Sequence, residues 1–341
     1  MTRIWFNKTF SSLAAALRLI RQGDSQNKYQ LICSNTNPHA PAFLAADEHW
    51  VEPKGLLGQD YVHWCLEFCQ TQKIAIFVPG KEASLMASQH AVFAAIGTRV
   101  LSTASEDTLR LINDKGRFCQ TLNLPTAPPA EFRAVETLAQ FDAAFEELRV
   151  RHDKLCIKPA SGVFGLGFSV LDEKRSCAEI LLEGIAYHIN VQDLRRGLGE
   201  LGQFKKMLVM EFLPGHEYSV DCLAHQGQLI TAVPRRKSNA QGQGQTIDLR
   251  DDILQSVAKL ATDYQLNGFF NAQFRERKHG GLGLLEINAR LSGGVAMACL
   301  AGPNLPYLGI AGFDQGYASL EIPAIRNGIR VGEMAYATEL V

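Results

Sequence analysis

Two hydrophobic periods divide the chain. Before residue 105, the short apolar runs TRIWF, YQLICSN, KIAIFVPG and TRVLS read as strands. Between them, SSLAAALRLIRQ, GQDYVHWCLEFCQTQ and SLMASQHAVFAAI repeat their apolar positions with helical spacing. Strand and helix in alternation specify an open parallel sheet. No GxGxxG follows the first strand, which argues against a dinucleotide site of the usual kind. A further helix opens at Ser105 or Glu106 in SEDTLRLINDKGRFCQTL, and the proline-rich LPTAPPA (124–130) stops it. A domain boundary is expected near residue 105.

Beyond it the pattern predicts a helix over VETLAQFDAAFEELRVRH, a strand KLCIKPA, a glycine-bearing turn SGVFGLG (161–167) and a strand FSVLD. The stretch 175–205 reads as helical. A strand-rich run follows in KKMLVMEFLPG, HEYSVDCLAH and QLITAVPRRK, then a polar Gly/Gln loop and the amphipathic helix DDILQSVAKLATDYQ. GFFNAQFRE and GLGLLEIN read as a hairpin across KHGG.

The last of these strands runs on into LLEINARLSGG and carries the first candidate chemistry. Side chains alternate on a strand, so Leu285, Ile287, Ala289 and Leu291 share one face, and Glu286, Asn288 and Arg290 the other. A half-solvated edge strand would show the same alternation. In GFFNAQFRE, Asn271, Gln273 and Arg275 likewise oppose Phe270, Ala272 and Phe274. Antiparallel pairing would set Gln273 beside Glu286 and Asn288, since cross-strand neighbours approach within roughly 5 Å. Three oxygen-bearing side chains suit Mg2+ or Mn2+, which take hard oxygen ligands together with waters and phosphates. Arg290 on the same face suits a phosphate held in fork geometry.

Lys158 ends the apolar strand KLCIKPA, where an ammonium is costly unless it snorkels to solvent or meets an anion. Lys115 lies on the helix before LPTAPPA and reads equally as a solvated-face residue. Backbone amides of SGVFGLG could approach phosphate, but no GK[ST] follows, so it is not a P-loop. In MLVMEFLPGHEYSVD, Glu211 is placed to meet an adenine amino group and Glu217 a ribose, although each also reads as a surface carboxylate.

Composition narrows the class without choosing the chemistry. The 341 residues are 46% hydrophobic and 20% charged, with a net charge of −1. That describes a globular chain of about two domains with no overall field for nucleic acid or an anionic membrane. No apolar run approaches the roughly 18 residues of a membrane span, and the opening MTRIWFNKTFSSLAAALRLIRQG lacks the layout of a signal peptide. Eight scattered cysteines suit reduced thiols, hence a cytoplasmic setting. Cys65 and Cys69 lie close together beside His63, but no further ligands stand at short spacing, which favours helix packing over a metal site.

In order, DKGRF, LCIKPASGVFGLG, VMEFLPGHEYSVD, FNAQF and LLEINARLSGG resemble the ATP-grasp superfamily over residues 105 to 315. The closing NAQF and EINARLSG are most similar to its carbamoyl-phosphate-synthetase-like branch, and the whole resembles stand-alone ligases of that branch from bacterial tellurite-resistance-associated gene clusters. The resemblance implies an α/β fold, α+β in the ATP-binding part. An N-terminal open parallel-sheet domain (1–105) would precede a two-lobed ATP-grasp domain, its N-terminal lobe 106–211 and its C-terminal lobe 212–341. It implies Lys115 and Lys158 on ATP phosphates, and Glu211 with the backbone of Phe212 and Leu213 at adenine. Glu217 or Asp221 would hold the ribose, Gln273, Glu286 and Asn288 the metal, and Arg290 the transferred phosphate.

Two departures stand out: few glycines in the phosphate loop, and Gln273 where many members carry a carboxylate. The implied activity is ATP-dependent joining of a small carboxylate, such as an amino acid, to an amine through an acylphosphate, releasing ADP and phosphate. Catalysis would come from charge neutralisation and alignment, with Lys158 and Arg290 central. That agrees with the absence of GxSxG and HExxH. Arg235 and Arg236, with Lys237, precede a flexible loop and would meet a substrate carboxylate or phosphate, unless they are merely solvated. Ser292 and Gly293, with Gly294, would lie where the acceptor enters. The alternatives are an ATP-binding regulatory module without ligation, and a phosphotransferase or carboxyphosphate-forming enzyme. Small molecules are the expected partners. A homodimer is common for this architecture, but nothing in the sequence marks an interface.

Overall fold

Residues 1–9, 12–160, 166–238, 244–334 and 337–339 are described by the computed structural model. Five short strands open the chain: Thr2–Phe6 (β1), Tyr29–Asn35 (β2), Glu48–Val51 (β3), Ile76–Val78 (β4) and Arg99–Val100 (β5). They form a wholly parallel sheet in the order β3-β2-β1-β4-β5. Four of them coincide with the apolar runs. The edge strand β3, EHWV, was not expected, because most of it is exposed and it carries no apolar run. The guanidinium of Arg3 on β1 reaches past β2 to meet Glu48 at 2.8 Å. The segment read as one helix over SLMASQHAVFAAI is two, Ala83–Ser88 and His90–Ala95, broken at Gln89.

The chain folds into two compact units. One comprises 1–112, 216–274 and 286–341, and the other 113–215 and 275–285. The second unit carries Phe132–Thr137 (β6), Leu155–Pro159 (β7), Ser169–Asp172 (β8), His188–Asn190 (β9) and Gln203–Glu211 (β10), ordered β6-β10-β7-β8-β9. Here the reading of VETLAQFDAAFEELRVRH as helix throughout is corrected at its start. Val135, 1% exposed, belongs to β6, and the Thr137 hydroxyl accepts from the Gln140 N–H and so caps the helix Leu138–Arg149. The 175–205 stretch is likewise two helices, Cys177–Leu182 and Val191–Leu201, separated by β9. A capping box between Ser176 and Glu179 starts the first, and the Asn190 side chain caps the second.

Glu217–His225 (β11), Gln228–Lys237 (β12), Gln245–Ile247 (β13), Gly268–Glu276 (β14), Leu282–Asn288 (β15) and Arg330–Val331 (β16) build a six-stranded sheet, ordered β15-β14-β11-β12-β13-β16. In the first unit, apolar residues of this sheet (Leu223, Val233, Phe269) join a continuous core with Ile4, Leu17 and Leu31 of the parallel-sheet region and Leu305 and Ile310 of the helix Leu305–Gln315. That helix is anchored at its N-terminus, where the Asn304 amide donates to the Leu19 carbonyl at 2.7 Å. All eight cysteines are free. Burial pushes the thiols of Cys33, Cys69, Cys156 and Cys299 up to about 12. No helix among the described residues is long and apolar enough to cross a membrane.

Gly309 lets the helix Leu305–Gln315 approach β14. A Cβ there would lie 2.1 Å from the ring of Phe269 and 3.1 Å from Leu223, both buried. Gly309→Ala is therefore expected to destabilise the protein by about 1–3 kcal/mol through overpacking, read as a lowered Tm in thermal unfolding.

Candidate functional site

On β15, Ile287 is buried, while Glu286 and Asn288 on the other face are half-buried. The Asn288 amide nitrogen donates to Glu286 Oε1 at 3.0 Å, so the carboxylate and amide stand together as residues two apart on one strand face should. With its nitrogen committed to Glu286, Asn288 turns its carbonyl oxygen the other way. Gln273, also half-buried, lies on the adjacent strand β14. Arg290 follows, its Nη1 donating to the Leu291 carbonyl at 3.0 Å. Burial lowers the pKa of its guanidinium, and the carboxylates of Glu286 and Asp221 oppose that shift.

One carboxylate and two amide oxygens are hard donors, and an arginine stands beside them. The set fits a divalent cation such as Mg2+ that completes its shell with waters and phosphate oxygens. Among the described residues no group of three or more His, Cys, Asp and Glu gathers as a metal site, so an all-carboxylate cage is not what this face offers.

Two lysines converge in the second unit. Lys115 is the first residue of the helix Lys115–Thr121, which Asp114 caps by accepting from the Arg117 N–H. Lys158 lies on β7, paired in register with Leu208 of β10. Burial raises the Cys119 thiol, and the ammonium groups of Lys158 and Lys115 both pull it back. Two residues on different elements of this unit therefore act on the same thiol. Of the turn SGVFGLG, residues 161–165 lie outside the described residues.

Glu211 ends β10, and both of its carboxylate oxygens accept from Arg277 Nη1. Arg277 Nη2 donates to the carbonyls of Pro128 at 2.9 Å and Pro129 at 3.3 Å, so one guanidinium ties the proline segment to the end of β10. The Phe212 N–H donates to the Lys154 carbonyl, Leu213 is buried, and the Arg275 guanidinium lies 5.5 Å from the centre of the Phe212 ring. The sequence pattern does not single out Arg277. Its only trace there is a basic residue every second position in FRERK.

In the first unit, Glu217 opens β11 and pairs with Lys237. Arg236 is 3.4 Å from Asp248. Asp221 and Arg235 are buried together, 3% and 2% exposed, at 2.8 Å. Their surroundings include Asn271, 1% exposed, whose amide donates to Ser219 Oγ and the Val220 carbonyl at 3.0 Å each. Ser292 is buried and Gly293 exposed. Thus each candidate cation of PRRK already has an acidic partner in the fold. Residues 239–243 of the loop beyond lie outside the described residues.

Solved structures share this architecture. The chain superposes on the ADP complex of an N5-carboxyaminoimidazole ribonucleotide synthetase at 14% identity and a TM-score of 0.66, over 96% of this chain and 79% of that one. It superposes on an L-amino acid ligase from Bacillus licheniformis at 14% and 0.61, over 92% and 74%. For the biotin carboxylase domain of the Hydrogenobacter thermophilus 2-oxoglutarate carboxylase, with MgADP and bicarbonate, the values are 14% and 0.62, over 97% and 72%. No curated protein sequence matches. At this identity the likeness is one of fold. Residues 203–337 match the family described as ATP-grasp in the biosynthetic pathway with Ter operon.

Arg277→Met removes two bonds to Glu211 and two to proline carbonyls. It is expected to cost about 1–3 kcal/mol, the price of stranding partly buried polar groups, measured as a shift in the urea midpoint at constant m.

Proposed function

We propose that the protein is an ATP-dependent carboxylate–amine ligase acting on an amino acid or another small carboxylate. The observation that carries this reading is the Glu286–Asn288 pair beside Arg290, an oxygen-donor and guanidinium face suited to metal-bound phosphate. The lysine pair Lys115 and Lys158 at Cys119 adds a second cationic locus for phosphate oxygens. ADP is present in solved neighbours of the same fold, and MgADP in one of them.

In this reading Glu211 accepts from the adenine amino group, and Phe212 meets the base through its carbonyl because its N–H is committed to Lys154. Leu213 closes the same wall, and Glu217 receives the ribose while paired with Lys237. Gln273, Glu286 and Asn288 would hold Mg2+, which neutralises charge on the β- and γ-phosphates when bound. The substrate carboxylate attacks the γ-phosphorus, the bond to the β-phosphate oxygen breaks, and ADP leaves. Arg290 is assigned to the oxygens of the transferred group, and Lys158 to phosphate oxygens of ATP. The amine then attacks the acyl carbon and expels phosphate, losing a proton, so acid, amine and ATP become amide, ADP and phosphate. Free cysteines throughout suit the cytoplasm, and the partners are small molecules rather than nucleic acid or membrane.

Incubation with MgATP, pooled amino acids and small carboxylates should yield acceptor-dependent ADP and a new mass equal to two substrates minus water. Glu286→Gln should abolish that turnover while leaving the circular dichroism spectrum intact; an active variant would overturn the metal assignment.

A further inference from the structure

Among the described residues Arg235 is the largest fully buried cationic side chain, and all three of its guanidinium nitrogens donate. Nε and Nη2 donate to Asp221 Oδ2 at 2.9 and 2.8 Å. Nη2 also reaches Ser219 Oγ and Ser292 Oγ, each at 3.1 Å, and Nη1 donates to Gln245. Ser292 passes the contact on, its Oγ accepting from the Gly294 N–H at 3.1 Å. A Cβ on Gly294 would fall 2.6 Å from Nη1 and 2.8 Å from Cζ, although the residue's φ of −97° suits any amino acid. Glycine is required there by the guanidinium, not by the backbone.

A side chain so enclosed, 2% exposed, is shut away from a diffusing substrate. What it touches instead is the turn immediately after Arg290. Asp221 serves two guanidinium groups at once, Arg235 through hydrogen bonds and Arg290 through its field. We propose that Arg235 is a positioning residue: locked onto Asp221, it holds the Ser292–Gly294 turn and thereby fixes Arg290 for the γ-phosphate. The inference rests on the ligase reading above, in which Arg290 meets that phosphate.

The experiment compares two affinities by calorimetry in the presence of Mg2+, for ADP and for a non-hydrolysable ATP analogue, in the wild type, Ser292→Ala and Gly294→Ala. Ser292→Ala deletes one acceptor and leaves the Arg235–Asp221 pair intact, so it should fold even where Gly294→Ala does not. Positioning of Arg290 predicts that the analogue-to-ADP affinity ratio falls about tenfold in the variants, the loss expected for a misplaced charge-assisted bond, with ADP affinity nearly unchanged. A ratio equal to that of the wild type in folded Ser292→Ala, whether Tm falls or both nucleotides weaken together, overturns the proposal and leaves the ligase reading standing. A wild type that binds neither nucleotide overturns both.

Discussion

The buried ion pair of Asp221 and Arg235 is the constraint on which the six-stranded sheet depends. Taking both charges out of water is expensive, and only complete hydrogen bonding makes it tolerable. The donors and acceptors that supply it come from β11 (Ser219), β13 (Gln245), β14 (Asn271) and the turn after β15 (Ser292). Apolar packing tolerates small slides of one strand against another. A guanidinium with directed partners on several strands does not, because a shift of one residue exchanges the two faces of a strand. The pair therefore sets registry for the strands that bear Gln273, Glu286 and Asn288.

A second regularity concerns where charge is cancelled. The carboxylates assigned to the nucleoside, Glu211 and Glu217, each sit against a cation, Arg277 and Lys237. A base and a sugar are neutral, and ion-paired carboxylates can accept their hydrogen bonds without presenting net negative charge. Lys115 and Lys158 share their influence on Cys119, and Arg290 is held in a desolvated setting where its charge acts at low dielectric.

Local pattern made the fold legible, and distance along the chain decided what stayed hidden. The strands β1, β2, β11, β12, β14 and β15 follow from apolar periodicity, as does the Glu286–Asn288 face. β3 escaped notice because its side chains are polar or exposed, and β6 because VET continues smoothly into a helical pattern with Thr137 as the hidden cap. Pairings are harder still. Asp221 and Arg235 are 14 residues apart and Glu211 and Arg277 are 66 apart. Nothing in a linear pattern says which carboxylate a given arginine will choose. Asn271 looked like one more polar residue on a mixed strand, yet it is 1% exposed, since β14 is covered on both faces there.

The cysteines carry a consequence of another kind. A thiol with a pKa of about 12 is ionised to roughly one part in a hundred thousand at neutral pH, and Cys33, Cys69 and Cys156 are also shut away from solvent. Cys177, at the start of its helix, is the exposed exception. Alkylation under native conditions therefore tags that position first, whereas unfolding releases the other seven thiols. The chain's own thiols thus report global opening, with no engineered probe and no knowledge of the substrate required.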